Sequence, residues 1–261
     1  MVYIVNKNDE HELISMILDY LNIEYTYCEK TTEEVLDLIE SKQYEGIFLD
    51  NNYKDYLKSN FKKTYYRLYK YINYISLENS DEINPRNTIY EGFKEFLLDE
   101  KFDISQKTIL ILGSTKQAIS IYNALKDISD PVVYIATITD ELDIKLRPGD
   151  RKIRKIEIVN LLKADYIINA TEMGNVKAIN TCMLEGVNLI PTNYAFDLIT
   201  YPFKTSLLRK YELKGAKVYS GLILLIYRVL KSINCDDYSQ VSKIYDYILE
   251  KEKCRWINMK I

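Results

Sequence analysis

The sequence predicts an α/β protein of two domains, an N-terminal α/β domain followed by a domain built on a doubly wound parallel sheet. Two observations carry this. Short apolar runs alternate with stretches of helical apolar spacing along the chain, as strands do when crossover helices join them. A polar stretch at residues 99–107 interrupts the alternation and reads as a domain junction. At 261 residues the chain is long enough to bury a core without disulfide or metal support.

The elements follow in order. Residues 2–5 are an apolar run, expected as a strand, and Leu13, Ile14, Ile17, Leu18 and Leu21 keep a helical spacing. Residues 25–27 read as a second strand. Thr31-Thr32-Glu33-Glu34 sets capping residues ahead of Val35, Leu38 and Ile39, a short helix, and residues 46–49 read as a third strand. A Tyr- and Lys-rich stretch over residues 54–71 reads as helical, residues 78–86 with Pro85 as a loop, and residues 90–98 as a helix. The second alternation is cleaner. Residues 108–112 form an apolar run ending at Gly113, followed by a helix over 116–125 and a strand over 132–135. Further apolar runs lie at 166–169 and 188–190, a last strand follows Gly215 at 218–219, and helices are expected over 222–233 and 241–249. A sheet of this kind takes its ligand beyond the carboxyl ends of its strands.

Composition excludes several classes of function. Lys and Arg number 35 against 38 Asp and Glu, a net charge of −3, so nothing draws the whole chain to nucleic acid or an anionic membrane. The basic side chains of residues 54–71 are interleaved with tyrosines, which fits a solvated helix with rings packed inward better than a nucleic-acid surface. The 24 tyrosines, with abundant Ile, Lys and Asn, look like genomic base composition. The single histidine, His11, permits no triad or His-based metal site within one chain, so proton chemistry falls to Lys, Asp, Glu or Tyr. Cys28, Cys182, Cys235 and Cys254 are scattered, without zinc-ligand spacing, and read as reduced thiols. No metal site is expected. The N-terminus meets charge too early for a signal peptide and no apolar run is long enough to span a bilayer, which predicts a cytoplasmic protein.

Four segments together carry a family resemblance. Asn169-Ala170-Thr171-Glu172-Met173-Gly174 follows a strand; Phe196-Asp197-Leu198-Ile199-Thr200-Tyr201-Pro202 leads to Thr205, Leu207 and Leu208. Gly215-Ala216-Lys217-Val218 is followed by Gly221-Leu222 and Tyr227, and Asn87-Thr88-Ile89-Tyr90-Glu91-Gly92-Phe93 lies upstream. In order and spacing these resemble the shikimate dehydrogenase family. The resemblance implies a substrate domain over residues 1–100 and 222–261, a Rossmann-like dinucleotide-binding domain over 101–221, and a last helix that returns to the first. It also implies the family reaction of aromatic amino acid biosynthesis, NADPH-dependent reduction of 3-dehydroshikimate to shikimate, with NADP as cofactor and a small-molecule ligand in the cleft between the domains. It implies neither a nucleic-acid nor a membrane partner, and leaves the oligomeric state open.

Carried over by position, the resemblance assigns Lys54 as the catalytic lysine, after Gly46-Ile47-Phe48-Leu49-Asp50-Asn51-Asn52-Tyr53 in place of the family's Asn-, Thr- and Pro-bearing strand. Asn73 and Asn87 fall on substrate-binding positions. Ile89 falls on the catalytic Asp and can neither accept a hydrogen bond nor carry charge, with Asp50 the one nearby substitute. Where the family grips the substrate carboxylate, Asn8-Asp9-Glu10-His11 is aligned, and Glu10 would repel that carboxylate. Arg228 falls on a substrate-contacting Gln, either a changed charge pattern or a solvated helix residue. For the cofactor the resemblance assigns Gly113, Ser114, Thr115, Lys116, Asn169, Thr171 and Gly221. Thr115 stands where the family has glycine and is expected to intrude on the pyrophosphate path, and Ala136-Thr137-Ile138 lacks the arginine that faces the 2′-phosphate. Weak NADPH binding is therefore expected, along with lost or altered shikimate oxidation. The alternative is a non-catalytic pseudo-enzyme that uses the cleft as a small-molecule binding or protein-interaction module.

Overall fold

Two sheets organise the chain, which divides into one unit of Met1–Gly92 with Leu225–Ile261 and another of Phe93–Leu224. The computed structural model describes residues 1–6, 9–50, 53–79, 82–138 and 144–258.

The first unit contains β1 (Val2–Val5), α1 (Asp9–Tyr20), β2 (Tyr25–Cys28), α2 (Thr32–Ser41), β3 (Gly46–Phe48), α3 (Lys54–Asn60), α4 (Lys62–Arg67), β4 (Tyr74–Glu78) and β5 (Glu82–Arg86). Its five-stranded sheet has the order β2-β1-β3-β4-β5, parallel across the first three strands and antiparallel after β3. Helix α2 starts where its sequence says, with a Thr31–Glu34 capping box. α5 (Thr88–Asp99) leaves this unit, α8 (Gly221–Ser232) enters it, and α9 (Val241–Asn258) packs on α1 with Tyr20 and Tyr247 edge to face at 5.3 Å. Arg86 is buried and donates to the carbonyls of Lys231 and Ser232, closing the C-terminal end of α8.

The second unit contains β6 (Thr108–Leu112), α6 (Lys116–Ile128), β7 (Val132–Thr137), β8 (Arg151–Arg154), β9 (Tyr166–Asn169), β10 (Tyr194–Asp197), α7 (Ser206–Glu212) and β11 (Lys217–Tyr219). Its six strands are all parallel in the order β11-β10-β9-β6-β7-β8. Ile109, Leu110, Ile111 and Leu112 are all fully buried, as a strand covered on both faces requires.

Several expectations are corrected. Within the stretch expected as a loop over 78–86, residues 82–86 are a strand: β4 and β5 form an antiparallel pair, and Pro85 is tolerated because β5 is the edge strand. The 54–71 stretch is two short helices broken at Phe61, whose φ of −119° and ψ of 37° fit neither. Leu57 and Tyr65 on it are buried, as is Tyr53 just before it, while Tyr66 is exposed. The run at 188–190 is not a strand; Ile190 is apolar because it enters the core cluster of the second sheet, and the strand lies at β10. The last helix runs well past residue 249. No helix among the described residues is long and apolar enough to cross a membrane.

Candidate functional site

In the second unit the strand order reverses between β6 and β9, which pair with Leu112 opposite Asn169. The crevice beyond their carboxyl ends is the place for a ligand in such a sheet. Gly113 leaves β6 at φ 102°, a conformation that favours glycine. A Cβ there would stand 2.7 Å from Thr171 Cγ2 and 3.1 Å from Ala170 O, so the loops after β6 and β9 press together. Thr115 caps α6. Its hydroxyl accepts from Ala118 N at 3.2 Å and donates to Ala170 O at 2.9 Å, so it closes the first helical turn and ties the two loops. Ser114 and Lys116 are half-buried beside it, at the positive end of a 13-residue helix.

Asn169 and Thr171 are turned into the scaffold. Thr171 donates to Asn169 Oδ1 from its backbone nitrogen at 3.1 Å and its hydroxyl at 2.7 Å. Asn169 Nδ2 donates to Asp197 Oδ1 at 2.9 Å, and Thr205 Oγ1 donates to Asp197 Oδ2 at 2.6 Å. Ile199 N donates to Asp197 as well, at 3.0 Å. Burial pushes the Asp197 carboxyl up to about 6, against the pull of these donors. Gly221 is fixed by packing: a Cβ would lie 2.2 Å from Ile199 O.

In the first unit the ends of β1 and β3 are finished differently. Asn6 Nδ2 donates to Tyr53 Oη at 2.6 Å, Tyr53 Oη to Lys30 O at 2.7 Å, and Lys30 N to Asn6 Oδ1 at 3.1 Å, a closed ring across three loops. His11 Nδ1 lies 2.7 Å from Asn6 O, which can only accept, so that nitrogen carries the proton. Burial lowers the His11 pKa, with Glu10 opposing.

Arg228 forks onto Glu10, Nη1 to Oε2 at 3.1 Å and Nη2 to Oε1 at 2.9 Å, with the two side chains 11% and 34% exposed. Burial raises the Glu10 carboxyl, but the guanidinium more than offsets it and the net direction is downward. Arg228 is therefore not a solvated helix residue, and Glu10 does not stand as a bare carboxylate. Asn73 Nδ2 donates to Thr88 Oγ1 at 2.7 Å and its Oδ1 accepts from Thr88 N at 2.9 Å. Asn87 caps α5 by accepting from Tyr90 N at 3.1 Å, and donates to Leu68 O at 3.1 Å. Ile89 is buried in the first turn of α5. Lys54 opens α3, its side chain lying outside the described residues, as do Asn8, Asn51 and Asn52. No group of three or more His, Cys, Asp or Glu that could hold a metal occurs among the described residues.

No family model matches the chain. Curated relatives do. The shikimate dehydrogenase (NADP(+)) of Caldicellulosiruptor bescii is 31% identical over 173 residues, 64% of this chain, and the aligned part spans 60% of that relative's length. That of Alkaliphilus oremlandii is 24% identical over 254 residues, covering 88% of this chain and 86% of the relative. Among solved structures, a chorismate mutase/shikimate 5-dehydrogenase fusion protein from Clostridium acetobutylicum superposes with a TM-score of 0.75 over 97% of this chain and 98% of its own, at 24% identity, a likeness of fold. The chain is thus similar in sequence to shikimate dehydrogenases, spanning about 60% of the length of the first of these relatives, and shares their fold.

Among shikimate dehydrogenase-like motifs, those that carried the resemblance turn out to hold the fold. Asn169, Thr171, Asp197 and Thr205 form one hydrogen-bonded chain, Asn87 caps a helix, and Gly92 lets α5 cross α8 at backbone contact, since a Cβ there would lie 2.6 Å from Arg228 Cα. Departures lie in both units, at Glu10, Ile89 and Arg228 in the first and at Thr115 and Ala136-Thr137-Ile138 in the second. Sequence reasoning missed the Glu10–Arg228 pair, whose partners lie 218 positions apart. It also missed β8, a strand too basic to be read as one; the sign was the single Ile153 alternating with charge after Pro148-Gly149.

Proposed function

We propose that this chain is a nicotinamide-dinucleotide-dependent oxidoreductase of the shikimate dehydrogenase family, acting on a small hydroxylated compound, in which the shikimate reaction itself is lost or altered. The dinucleotide is held in the second unit by Gly113, Ser114, Thr115 and Lys116, where a helix N-terminus faces the crevice between β6 and β9 and accommodates phosphate. When bound, the nicotinamide supplies the hydride acceptor or donor.

The observation that carries the altered reaction is Ile89. Oxidising an alcohol requires a base to take the hydroxyl proton as the hydride leaves, and a buried aliphatic side chain takes none. Its neighbour Thr88 is occupied by Asn73. Arg228 is already forked onto Glu10, so a ligand carboxylate would have to displace an internal partner to use it.

The test is NADP reduction in excess shikimate at neutral to alkaline pH, for the wild type and Ile89→Asp. No turnover at an ordinary enzymatic rate is expected from either, because the substitution restores a carboxylate but leaves Arg228 paired. Turnover by the wild type at such a rate overturns the reading, and a large rescue by Ile89→Asp shows that the Glu10–Arg228 pair is not an obstacle.

A further inference from the structure

Strand β7 ends at Ala136-Thr137, followed by Ile138, without a cation, yet the strand beside it ends on one. β8 pairs with β7 in parallel register, Thr137 opposite Arg154. The last residue of β8 therefore stands next to the last residue of β7, about 5 Å away across the ladder. The Arg154 side chain is 68% exposed and Lys155 follows it in the chain. Ile138 and Ile156, the first and second residues past the two strand ends, are 65% and 63% exposed, although both are large aliphatic side chains. Thr137 is buried, and its Oγ1 has no hydrogen-bond partner among the described residues. Exposed aliphatic faces, an unpartnered hydroxyl and a guanidinium at one strand end match a purine nucleoside that carries a phosphate.

We propose that Arg154, with Lys155 beside it, is the anchor for the adenosine 2′-phosphate of NADP, supplied from β8 in place of the loop after β7. This rests on reading the second unit as a dinucleotide site. The competing charge is Glu157, which accepts from Arg154 N at 2.7 Å and from Nε at 3.2 Å. That pair is exposed, and exposed pairs are weak. Nη1 and Nη2 have no partner among the described residues, which leaves the outer edge of the guanidinium for two phosphate oxygens.

The experiment is calorimetric titration of the full chain with NADPH, NADH, 2′,5′-ADP and 5′-AMP, for the wild type and Arg154→Gln. In the wild type, NADPH is expected to bind about tenfold or more tighter than NADH, and 2′,5′-ADP tighter than 5′-AMP. Arg154→Gln should erase both preferences while leaving NADH affinity unchanged. Equal affinities in the wild type, tighter NADH, or a preference that survives Arg154→Gln each overturn the inference and leave the dinucleotide site standing. If 2′,5′-ADP binds by this pattern and neither dinucleotide does, the anion anchor stands and the oxidoreductase reading falls. Silence from all four ligands ends both.

Discussion

At the carboxyl ends of β9 and β10 the polar side chains close on one another around a single buried carboxylate, Asp197, whereas in the first unit opposite charges pair between α1 and α8. The first arrangement uses residues that match the family's motifs; the second uses Glu10 and Arg228, which do not. The difference separates motif residues that the fold itself requires from side chains that only a ligand would require. A helix cap, a crossing glycine or a donor to a buried carboxylate is required by the fold whatever is bound. A side chain that faces only a ligand is free to change when the ligand does.

The sharpest way to break this comparison is Gly221→Ala. A Cβ 2.2 Å from the Ile199 carbonyl forces backbone to move, and a loss of about 3 kcal/mol or more is expected in urea unfolding. An unchanged midpoint would mean that Gly221 answers to a ligand and not to packing.

The Asp197 network should show itself through pH. Its folded pKa is raised from 3.8 to about 6, so the stability it contributes is fully present below pH 3.8 and is lost as pH rises through about 6. Across that window the loss amounts to up to about 3 kcal/mol. Asp197→Asn removes this slope, and unfolding free energies of the two proteins at several pH values should converge or diverge accordingly. Parallel pH profiles would contradict the raised carboxyl.

For the first unit, Arg228→Ala leaves Glu10 half-buried without its partner and should cost about 2 kcal/mol, less than for a fully buried pair because Glu10 is 34% exposed. The double variant Glu10→Gln, Arg228→Met should recover most of it. If the single and double variants lose equally, the two side chains are not coupled. The smallest effect is expected from Thr115→Ala, about 1 kcal/mol, through loss of the α6 cap.

How much of this was legible in the sequence depended on whether the signal was local. β6 and α6 were readable because an apolar run ends at a glycine and a capping threonine follows. β5 and β8 were not: Glu82, Asn84 and Pro85 in one, and Arg151, Lys152 and Arg154 in the other, are what edge strands carry on their open sides. The apolar run at 188–190 misled because Ile190 is buried by packing without any ladder. At the site, Gly113 and Thr115 were visible as a loop before a helix, but the destination of the Thr115 hydroxyl, Ala170 O, lies 55 positions away. Positional matching assigned Asn73 and Asn87 to a ligand, while their amides are satisfied by Thr88, Leu68 and Tyr90, partners that only the folded chain reveals.

The reading proposed above sets a dinucleotide site in the second unit beside a first unit whose Arg228 is held by Glu10 and not by a ligand carboxylate. Calorimetry with NADPH and, separately, with shikimate on the same wild-type preparation tests it most directly. The account predicts a dissociation constant for NADPH of about 100 μM or tighter, and no saturable heat from shikimate up to about 1 mM. Micromolar shikimate binding together with silence from NADPH would contradict it.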